Sequence, residues 1–177
     1  MEKTSEERYE YHDGQMFVVS GGTFPHVLIA SNLVREVGNR LKDDCSVVGF
    51  DARVNVESRG LYTYSDVVIV CGPVKLSKPG GSLLNPKVIF EVLSKSTERY
   101  DRGAKFENYR KIASLEEYIL VSQWDYVIDQ FHRNESGNWA FQEIRGEDSV
   151  LEIASVRITV LLKPIYKGVD FALAKEE

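Results

Sequence analysis

The sequence has few of the residues from which zinc sites and disulfide frameworks are built. Among 177 residues there are two cysteines, Cys45 and Cys71, and three histidines. The cysteines lie far apart in the chain and belong to no CxxC motif. Zinc sites and disulfide-rich folds place their cysteines at short, repeated spacings. We therefore expect no zinc site, and two reduced thiols rather than a disulfide.

Long apolar runs and an excess of positive charge are also missing. No apolar run approaches the roughly 20 residues that a membrane helix needs, and the acidic start "MEKTSEERYEYHDG" is unlike a signal peptide. Lys and Arg total 22 against 27 Asp and Glu, a formal net charge of -5. This balance argues against a protein that coats nucleic acid through charge alone, although a local basic cleft is compatible with it. We expect a cytoplasmic protein that does not enter membranes.

What the chain does have is enough apolar material for one core, since 43% of its residues are hydrophobic. We predict a single domain over 1–177, with loose termini at 1–8 and 172–177. Helical periodicity runs from Pro25 to Leu41 and again from Tyr100 to Ile112. In the first helix the predicted apolar stripe consists of Val27, Ala30, Leu33, Val34, Val37 and Leu41. The β-type segments are 14–22, 46–57, 64–72, 86–94, "EEYILVSQ", "YVIDQFHR", "WAFQEI" and "SVLEIASVRITVLL". This order predicts an α/β fold with a mixed central β-sheet flanked by helices.

Two of these strands carry an acidic residue in an apolar setting. Asp66 opens the strand in "YSDVVIV", and Glu91 interrupts "VIFEVL". A buried carboxylate has to become neutral or find a cation, and two converging carboxylates are ligands that suit Mg²⁺ or Mn²⁺. Structural explanations exist for each residue: Asp66 can cap a turn after Ser65, and Glu91 can pair with Arg53 or with a lysine.

The stretch after Glu91, "SKSTERYDRGAKFENYRKI", predicts a helix with a polar stripe. Asp101, Lys105 and Tyr109 follow each other at intervals of four, so they share one helix face. Lys105 lies at the edge of the apolar side and is able to reach Glu91; its alternative role is that of a solvated partner of Asp101. Basic residues that can form a rim for phosphates, or simply a solvated face, are Arg99, Arg102, Lys105, Arg110, Lys111, Lys75 and Lys78.

Asp66, Glu91 in "EVLS" and the segment "YDRGAKFENYR" together resemble the Uma-type family of putative restriction endonucleases, in the PD-(D/E)XK nuclease superfamily. The likeness extends to "YEYHDGQM", to His26 and to "EEYILVS", and so covers the chain from about Tyr9 to Val169. The resemblance implies a restriction-endonuclease-like core with additional β-strands. It also implies metal-dependent hydrolysis of DNA phosphodiester bonds.

In that family pattern Asp66 and Glu91 would bind Mg²⁺ (or Mn²⁺) and act in catalysis with Lys105. The sequence departs from the pattern at two positions. Ser65 replaces the proline that usually precedes the aspartate, and Leu93 stands where the superfamily has a lysine, two residues after the second acid. The resemblance implies that the lysine has moved to the following helix, where Lys105 carries it.

Three further residues are candidates for contacts with the metal-binding acids or with phosphate: Glu10, His26 and Tyr109. By its periodicity alone, His26 is a partly buried structural histidine. Cleavage of both strands of duplex DNA would favour a homodimer, because two-fold sites are matched by two-fold proteins. The alternative function is a catalytically inactive nuclease fold that binds DNA or protein, which the missing lysine and the acidic balance favour. Metal binding through Asp66 and Glu91 distinguishes the two.

Overall fold

A computed structural model describes residues 8–12, 15–19, 22–42, 44–78 and 81–175. The strands are β1 (Arg8–His12), β2 (Gln15–Val19), β3 (Cys45–Val56), β4 (Leu61–Cys71), β5 (Val88–Val92), β6 (Glu117–Val121), β7 (Val127–Arg133), β8 (Trp139–Arg145), β9 (Val150–Ile153) and β10 (Ile158–Leu161). The helices are α1 (Phe24–Gly38), α2, α3 (Leu162–Ile165) and α4 (Phe171–Lys175). The name α2 covers three consecutive turns, which are Glu98–Tyr100, the π-helical Asp101–Lys105, and Phe106–Tyr109.

Eight strands form one mixed sheet, in the order β2-β1-β4-β5-β6-β7-β8, with β3 paired to β4 outside this order. Strands β5 and β6 are parallel, and the other paired strands are antiparallel. A parallel pair needs a crossover connection, and α2 lies in the one between β5 and β6. Strands β9 and β10 form a separate antiparallel pair. The predicted α/β fold with a mixed central sheet is confirmed.

The centre of the sheet is covered on both faces. Every residue of β5 and of β6 is buried. On one face the apolar core contains residues of α1, β9 and β10, and on the other it contains residues of α2, above all Tyr109. This double cover explains why "VIFEVL" is apolar throughout and why Glu91 is 3% exposed.

Helix α1 packs closely on the sheet. Pro25 lies in its first turn, where the missing N–H costs nothing. Ile29, rather than the predicted Val27, belongs to the buried face, and Val27 is 42% exposed. Under the helix, a Cβ added to Gly49 of β3 would lie 2.5 Å from Cγ2 of Val34. Glycine at this position therefore lets α1 approach β3.

Strand β3 has an irregularity opposite Asp66. Gly49 pairs with Val67 and Ala52 pairs with Ser65, so residues 50–51 together oppose a single residue of β4. Such a bulge increases the local twist and redirects side chains, and bulges are frequent beside active sites. Asp66 is the residue of β4 that lies opposite this bulge.

The prediction of two reduced thiols is wrong. Cys45 and Cys71 form a disulfide, although they are 26 residues apart. They are directly paired at the ends of the antiparallel strands β3 and β4, with their Cα atoms 4.0 Å apart. Spacing in the sequence does not reveal this contact, because strand register brings the two residues together. The disulfide ties one end of the β3–β4 hairpin.

The predicted loose termini also need correction. At the N-terminal side, Arg8 already belongs to strand β1, whereas residues 1–7 lie outside the described part. At the C-terminal side, residues 171–175 form α4, and Trp124 Nε1 donates a hydrogen bond of 3.0 Å to the Ala174 carbonyl oxygen. Burial of Ala174 holds this short helix in place. No helix in the described ranges has the length and apolarity to cross a membrane.

Candidate active site

Asp66 lies where the pairing of β4 with β5 stops. The paired positions run from Ile69↔Val88 to Val67↔Phe90, and one more step would set Asp66 opposite Glu91. Instead, Asp66 Oδ2 accepts a hydrogen bond of 2.7 Å from the Val92 backbone N–H. The carboxylate thus takes the place of a ladder hydrogen bond and binds the end of β5.

The other oxygen of Asp66 contacts helix α1. His26 Nε2 lies 3.0 Å from Asp66 Oδ1. The His26 ring also packs closely on Gly22, because a Cβ added to Gly22 would lie 2.6 Å from His26 Cδ2. The first turn of α1 therefore orients Asp66. His26 thus contacts one of the two candidate acids, and its role beside a metal ion or a phosphate stays a prediction.

Glu91 lies at the centre of a buried polar cluster on the α2 side of the sheet. Lys105 Nζ is 3.0 Å from Glu91 Oε1 and 3.2 Å from Asp101 Oδ1. The Tyr109 hydroxyl donates to Glu91 Oε1 at 3.2 Å. The side chains of Glu91, Lys105 and Asp101 are 4%, 7% and 3% exposed. Lys105 is consequently not a solvated residue, and it pairs with both acids.

The π-helical turn Asp101–Lys105 brings two charged side chains inward. Asp101 and Lys105 are both buried, whereas Arg102 and Ala104 are exposed. π-Helical turns inside α-helices occur often at functional sites. Tyr118 of β6 supports the turn, since its hydroxyl donates a 3.0 Å hydrogen bond to the Asp101 carbonyl oxygen. Burial raises the pKa of Tyr118, so this hydroxyl remains a donor at neutral pH.

Burial, hydrogen bonds and neighbouring charges shift the pKa values of the two candidate metal ligands, Asp66 and Glu91, in opposite directions. Burial raises the pKa of Glu91 well above its usual range, and the negative charges of Asp66 and Asp101 add to the rise while Lys105 opposes it. Burial also acts to raise the pKa of Asp66, but the hydrogen bond and charge of His26, the charge of Lys105 and the Val92 N–H outweigh it and lower the value. Asp66 is therefore the more readily ionised acid of the two.

Of the structural alternatives for the two acids, the structure shows the pairing of Glu91 with a lysine, whereas Asp66 lies within strand β4 and not at a turn. Glu91 pairs with a lysine, Lys105, and Arg53 instead directs its Nε to Ser82 Oγ at 2.8 Å. Glu10 lies in strand β1, not in the helix or loop expected for its segment, and its side chain is outside the described part. The catalytic and metal-binding roles of Asp66, Glu91 and Lys105 stay predictions.

The basic rim divides into two groups. Arg102 is already engaged, because it pairs with Glu98 on α2 and with the buried Asp129 of β7. Lys95, which the sequence does not single out, is exposed and donates a hydrogen bond of 3.1 Å to the Lys175 carbonyl oxygen. Lys105 is buried and paired with two acids, so it does not belong to an exposed rim. The remaining members are exposed and stay candidates for phosphate contacts; they are Arg99, Arg110, Lys111, Lys75 and Lys78.

Asp101 is the site residue that the sequence interpretation leaves out of its candidate set. Its spacing of four residues from Lys105 is the signal for it, but that spacing alone equally describes an exposed i, i+4 ion pair. The tertiary packing of α2 decides between the two, because it buries both ends of the π-helical turn. A pattern on one helix carries no information about that burial.

The donor atoms present fit a hard divalent cation. Asp66 and Glu91 offer carboxylate oxygens from adjacent strands, which Mg²⁺ and Mn²⁺ prefer. Within the described ranges, no group of three or more His, Cys, Asp or Glu side chains is arranged to hold a metal ion. Mg²⁺ commonly uses one or two protein carboxylates and completes its shell with water and substrate phosphate oxygens. Two carboxylates therefore suffice for such a site.

Comparison with known proteins identifies the family and the fold. Residues 1–160 match the Uma2 family, described as "Putative restriction endonuclease". Two uncharacterized proteins of Synechocystis sp. are similar: slr1290 is 34% identical over 96% of this chain and 89% of its own length, and sll1609 is 28% identical over 89% and 90%. A crystal structure of a putative nuclease belonging to DUF820 from Anabaena variabilis shares the fold, with a TM-score of 0.75, 13% identity and 92% coverage of both chains. The chain belongs to the Uma2 family of putative restriction endonucleases.

Proposed function

We propose that the protein is a DNA endonuclease that depends on Mg²⁺ or Mn²⁺. The observation that carries this proposal is the buried Glu91–Lys105 pair, with Lys105 Nζ 3.0 Å from Glu91 Oε1. It supplies a cation at the second acid although the superfamily's usual lysine position is occupied by Leu93. Membership of a restriction-endonuclease family supports DNA as the substrate.

Each residue has a definite task in the proposed hydrolysis. Asp66 and Glu91 hold the metal ion, which when bound supplies Lewis-acid charge and makes a water molecule a better nucleophile. His26 and the Val92 N–H fix the orientation of the Asp66 carboxylate. Lys105 stabilises the negative charge that develops on the phosphate as the water oxygen bonds to phosphorus and the bond to one sugar oxygen breaks. The leaving oxygen ends as a hydroxyl after taking a proton.

The direct test is nicking of supercoiled plasmid DNA in the presence of Mg²⁺ or Mn²⁺. We expect Asp66→Asn and Glu91→Gln to abolish nicking, because each removes a charged metal ligand. Lys105→Met should lower the rate by about 100-fold, the usual cost of one preorganised charge stabiliser. Asp125→Asn is the matched control, since its side chain is 63% exposed. Undiminished nicking by Asp66→Asn or Glu91→Gln would contradict the assignment.

A second function, an inactive nuclease fold that binds DNA or protein, has one specific observation in its favour. Both acids already have partners within the chain, Asp66 in His26 and Val92, and Glu91 in Lys105 and Tyr109. A centre neutralised in this way does not need a metal ion. Calorimetric titration with Mn²⁺ distinguishes the functions: an endonuclease binds Mn²⁺ through Asp66 and Glu91, and an inactive module does not.

We further propose that cleavage of duplex DNA is carried out by a homodimer. The reason is the two-fold symmetry of a duplex whose strands are both cut, which is matched by two active sites related by a two-fold axis. Sedimentation equilibrium at the protein concentration used for cleavage measures the oligomeric state. A monomer that linearises plasmid in a single encounter would contradict this part of the proposal.

A further inference from the structure

Asp101 has no task in the chemistry described so far, yet it is one of the most deeply buried acids of the described chain. It is 2% exposed and lies at the start of the π-helical turn, four residues before Lys105. A buried carboxylate is costly unless it is paired, and breaking such a pair leaves an uncompensated charge in a medium of low polarity. Asp101 is therefore kept for its interaction with Lys105.

Two carboxylates share the ammonium group of Lys105. The distance from Nζ is 3.0 Å to Glu91 Oε1 and 3.2 Å to Asp101 Oδ1. The two contacts differ in kind. Glu91 comes from the sheet and is the acid proposed to bind metal, whereas Asp101 is on the same helical segment as Lys105. The distance between Asp101 and Lys105 is thus set by one local turn of the backbone.

A metal ion at Glu91 would engage the carboxylate that faces Lys105, and the ammonium would then have only Asp101 as a fully available counter-charge. We propose that Asp101 is the standing counter-ion of Lys105, which holds the ammonium in place at the acidic centre when Glu91 is engaged by metal or replaced by a neutral side chain. The contacts alone support this anchoring of Lys105 by Asp101. Only the benefit of the anchoring for DNA cleavage rests on the proposed function.

The competing role for Asp101 is that of a third metal ligand. Against it stands the observation that no group of three or more such side chains in the described residues is arranged around a cation position. Asp101 Oδ1 also lies 3.2 Å from the ammonium nitrogen. If Asp101 anchors Lys105, its loss should leave the metal affinity nearly unchanged, whereas loss of a third ligand should weaken metal binding. The second experiment below measures this difference.

The first experiment observes the Lys105 ammonium directly and needs no metal ion or activity. Lysine ammonium groups give ¹H–¹⁵N NMR signals when an ion pair protects them from rapid exchange with water, and Lys105→Met assigns the signal. We expect it in the wild type and in Glu91→Gln, and we expect its loss in Glu91→Gln/Asp101→Asn. The control is Glu91→Gln/Glu107→Gln, which removes an exposed acid of the same helix and should keep the signal.

Two NMR results overturn the proposal: loss of the signal in Glu91→Gln alone, and its persistence in Glu91→Gln/Asp101→Asn. The double variant risks failing to fold, because Lys105 would be left buried without a counter-charge. In that case Lys105→Met is added. Recovery of folding in the triple variant supports the proposal, since the defect then lies in the uncompensated ammonium, and a triple variant that stays unfolded overturns it.

The second experiment separates the anchor from the ligand. For Asp101→Asn we expect an Mn²⁺ Kd within about threefold of wild type, and a kcat lowered by about 10- to 100-fold. The loss should not add to that of Lys105→Met, because the two residues act as a unit. Loss of Mn²⁺ binding, or additive losses, overturns the proposal. A wild type without nuclease activity contradicts the proposed function, and the NMR result still decides the anchoring.

Discussion

At the scale of single residues, the two acids of the site differ in how easily they ionise. Asp66 is partly buried and accepts hydrogen bonds from His26 and the Val92 N–H, which lower its pKa. Glu91 is enclosed by apolar strands, and its pKa is raised. The site thus contains one acid, Asp66, that is ionised at neutral pH, and a second acid, Glu91, whose charge depends on its surroundings.

This difference predicts how metal binding depends on pH. A proton on Glu91 competes with a cation for the same oxygens, and the raised pKa moves that competition to a higher pH than for an exposed glutamate. We expect the affinity for Mn²⁺ to fall as the pH is lowered through the raised pKa of Glu91, which lies above the ordinary glutamate value of 4.5. Mn²⁺ titrations at several pH values measure it.

The control for the pH dependence is Glu91→Gln. Its amide oxygen does not titrate, and Asp66 with its lowered pKa stays ionised to a more acidic pH. Residual Mn²⁺ binding by this variant should therefore be weak and nearly independent of pH in the same interval. Two results would count against the raised pKa of Glu91 as the cause of the pH dependence. One is a wild-type Mn²⁺ affinity that changes only near the ordinary glutamate pKa. The other is a Glu91→Gln variant whose Mn²⁺ affinity depends on pH as in the wild type.

Sequence reasoning at this scale identifies side chains better than it identifies their partners. The apolar run around Glu91 correctly predicts a strand buried on both faces, because its composition is only compatible with double cover. The partner of Glu91 stays open between Arg53 and a lysine until the packing of α2 is known. The Cys45–Cys71 disulfide is missed for a similar reason, since strand register is not readable from spacing.

At the scale of elements, α1 orients Asp66 and depends on a close contact at its start. Gly22 leaves room for the His26 ring, and a Cβ there would lie 2.6 Å from His26 Cδ2. The predicted helix from Pro25 to Leu41 is confirmed as Phe24–Gly38. Its orientation is not predictable from periodicity, which assigned Val27 to the buried face although the structure exposes it.

We therefore expect Gly22→Ala to move the His26 ring and to weaken its hydrogen bond with Asp66. The fold should survive, because the clash involves a side chain that is able to shift. The nicking rate should fall by about tenfold, the order expected from misorienting a positioned group. The matched control is Gly103→Ala, since a Cβ at Gly103 meets no atom within 4 Å. Equal rates for Gly22→Ala and wild type, with both variants folded, would contradict the positioning role of His26.

At the scale of the whole molecule, the Cys45–Cys71 disulfide restrains a large part of the sheet. It closes a loop of 26 residues that contains the rest of β3 and β4. Closing a loop of this length lowers the entropy of the unfolded chain and stabilises the native state by about 3 kcal/mol in the chain-entropy account. Asp66 lies inside this closed loop.

Reduction of the disulfide should accordingly lower the melting temperature by several degrees, which corresponds to a loss of up to about 3 kcal/mol. Thermal unfolding with and without reductant measures the change. The double variant Cys45→Ser/Cys71→Ser should melt near the reduced wild type and be insensitive to reductant. Identical melting of oxidised and reduced wild type, with free thiols confirmed by titration, would contradict the stabilisation.

The overall architecture was accessible from the sequence because strand and helix patterns alternate in an order that only a mixed sheet accommodates. The α/β class and the sheet centre are confirmed, whereas strand β1 and helix α4 are not anticipated. Both are only five residues long and lie near the ends of the described chain. Their structure depends on contacts made far away in the sequence, such as that of Trp124 with Ala174.

The placement of α2 in the crossover between β5 and β6 has a kinetic consequence. Glu91, Asp101, Lys105 and Tyr109 all fall within one stretch, and the contact that spans it joins residues 18 apart. Closing so short a loop costs little chain entropy, and local contacts of this kind form quickly during folding. This half of the charged centre can therefore assemble early, and Asp66 joins it when β4 pairs with β5. Strands β7 to β10 contribute none of these side chains and complete only the enclosure around them.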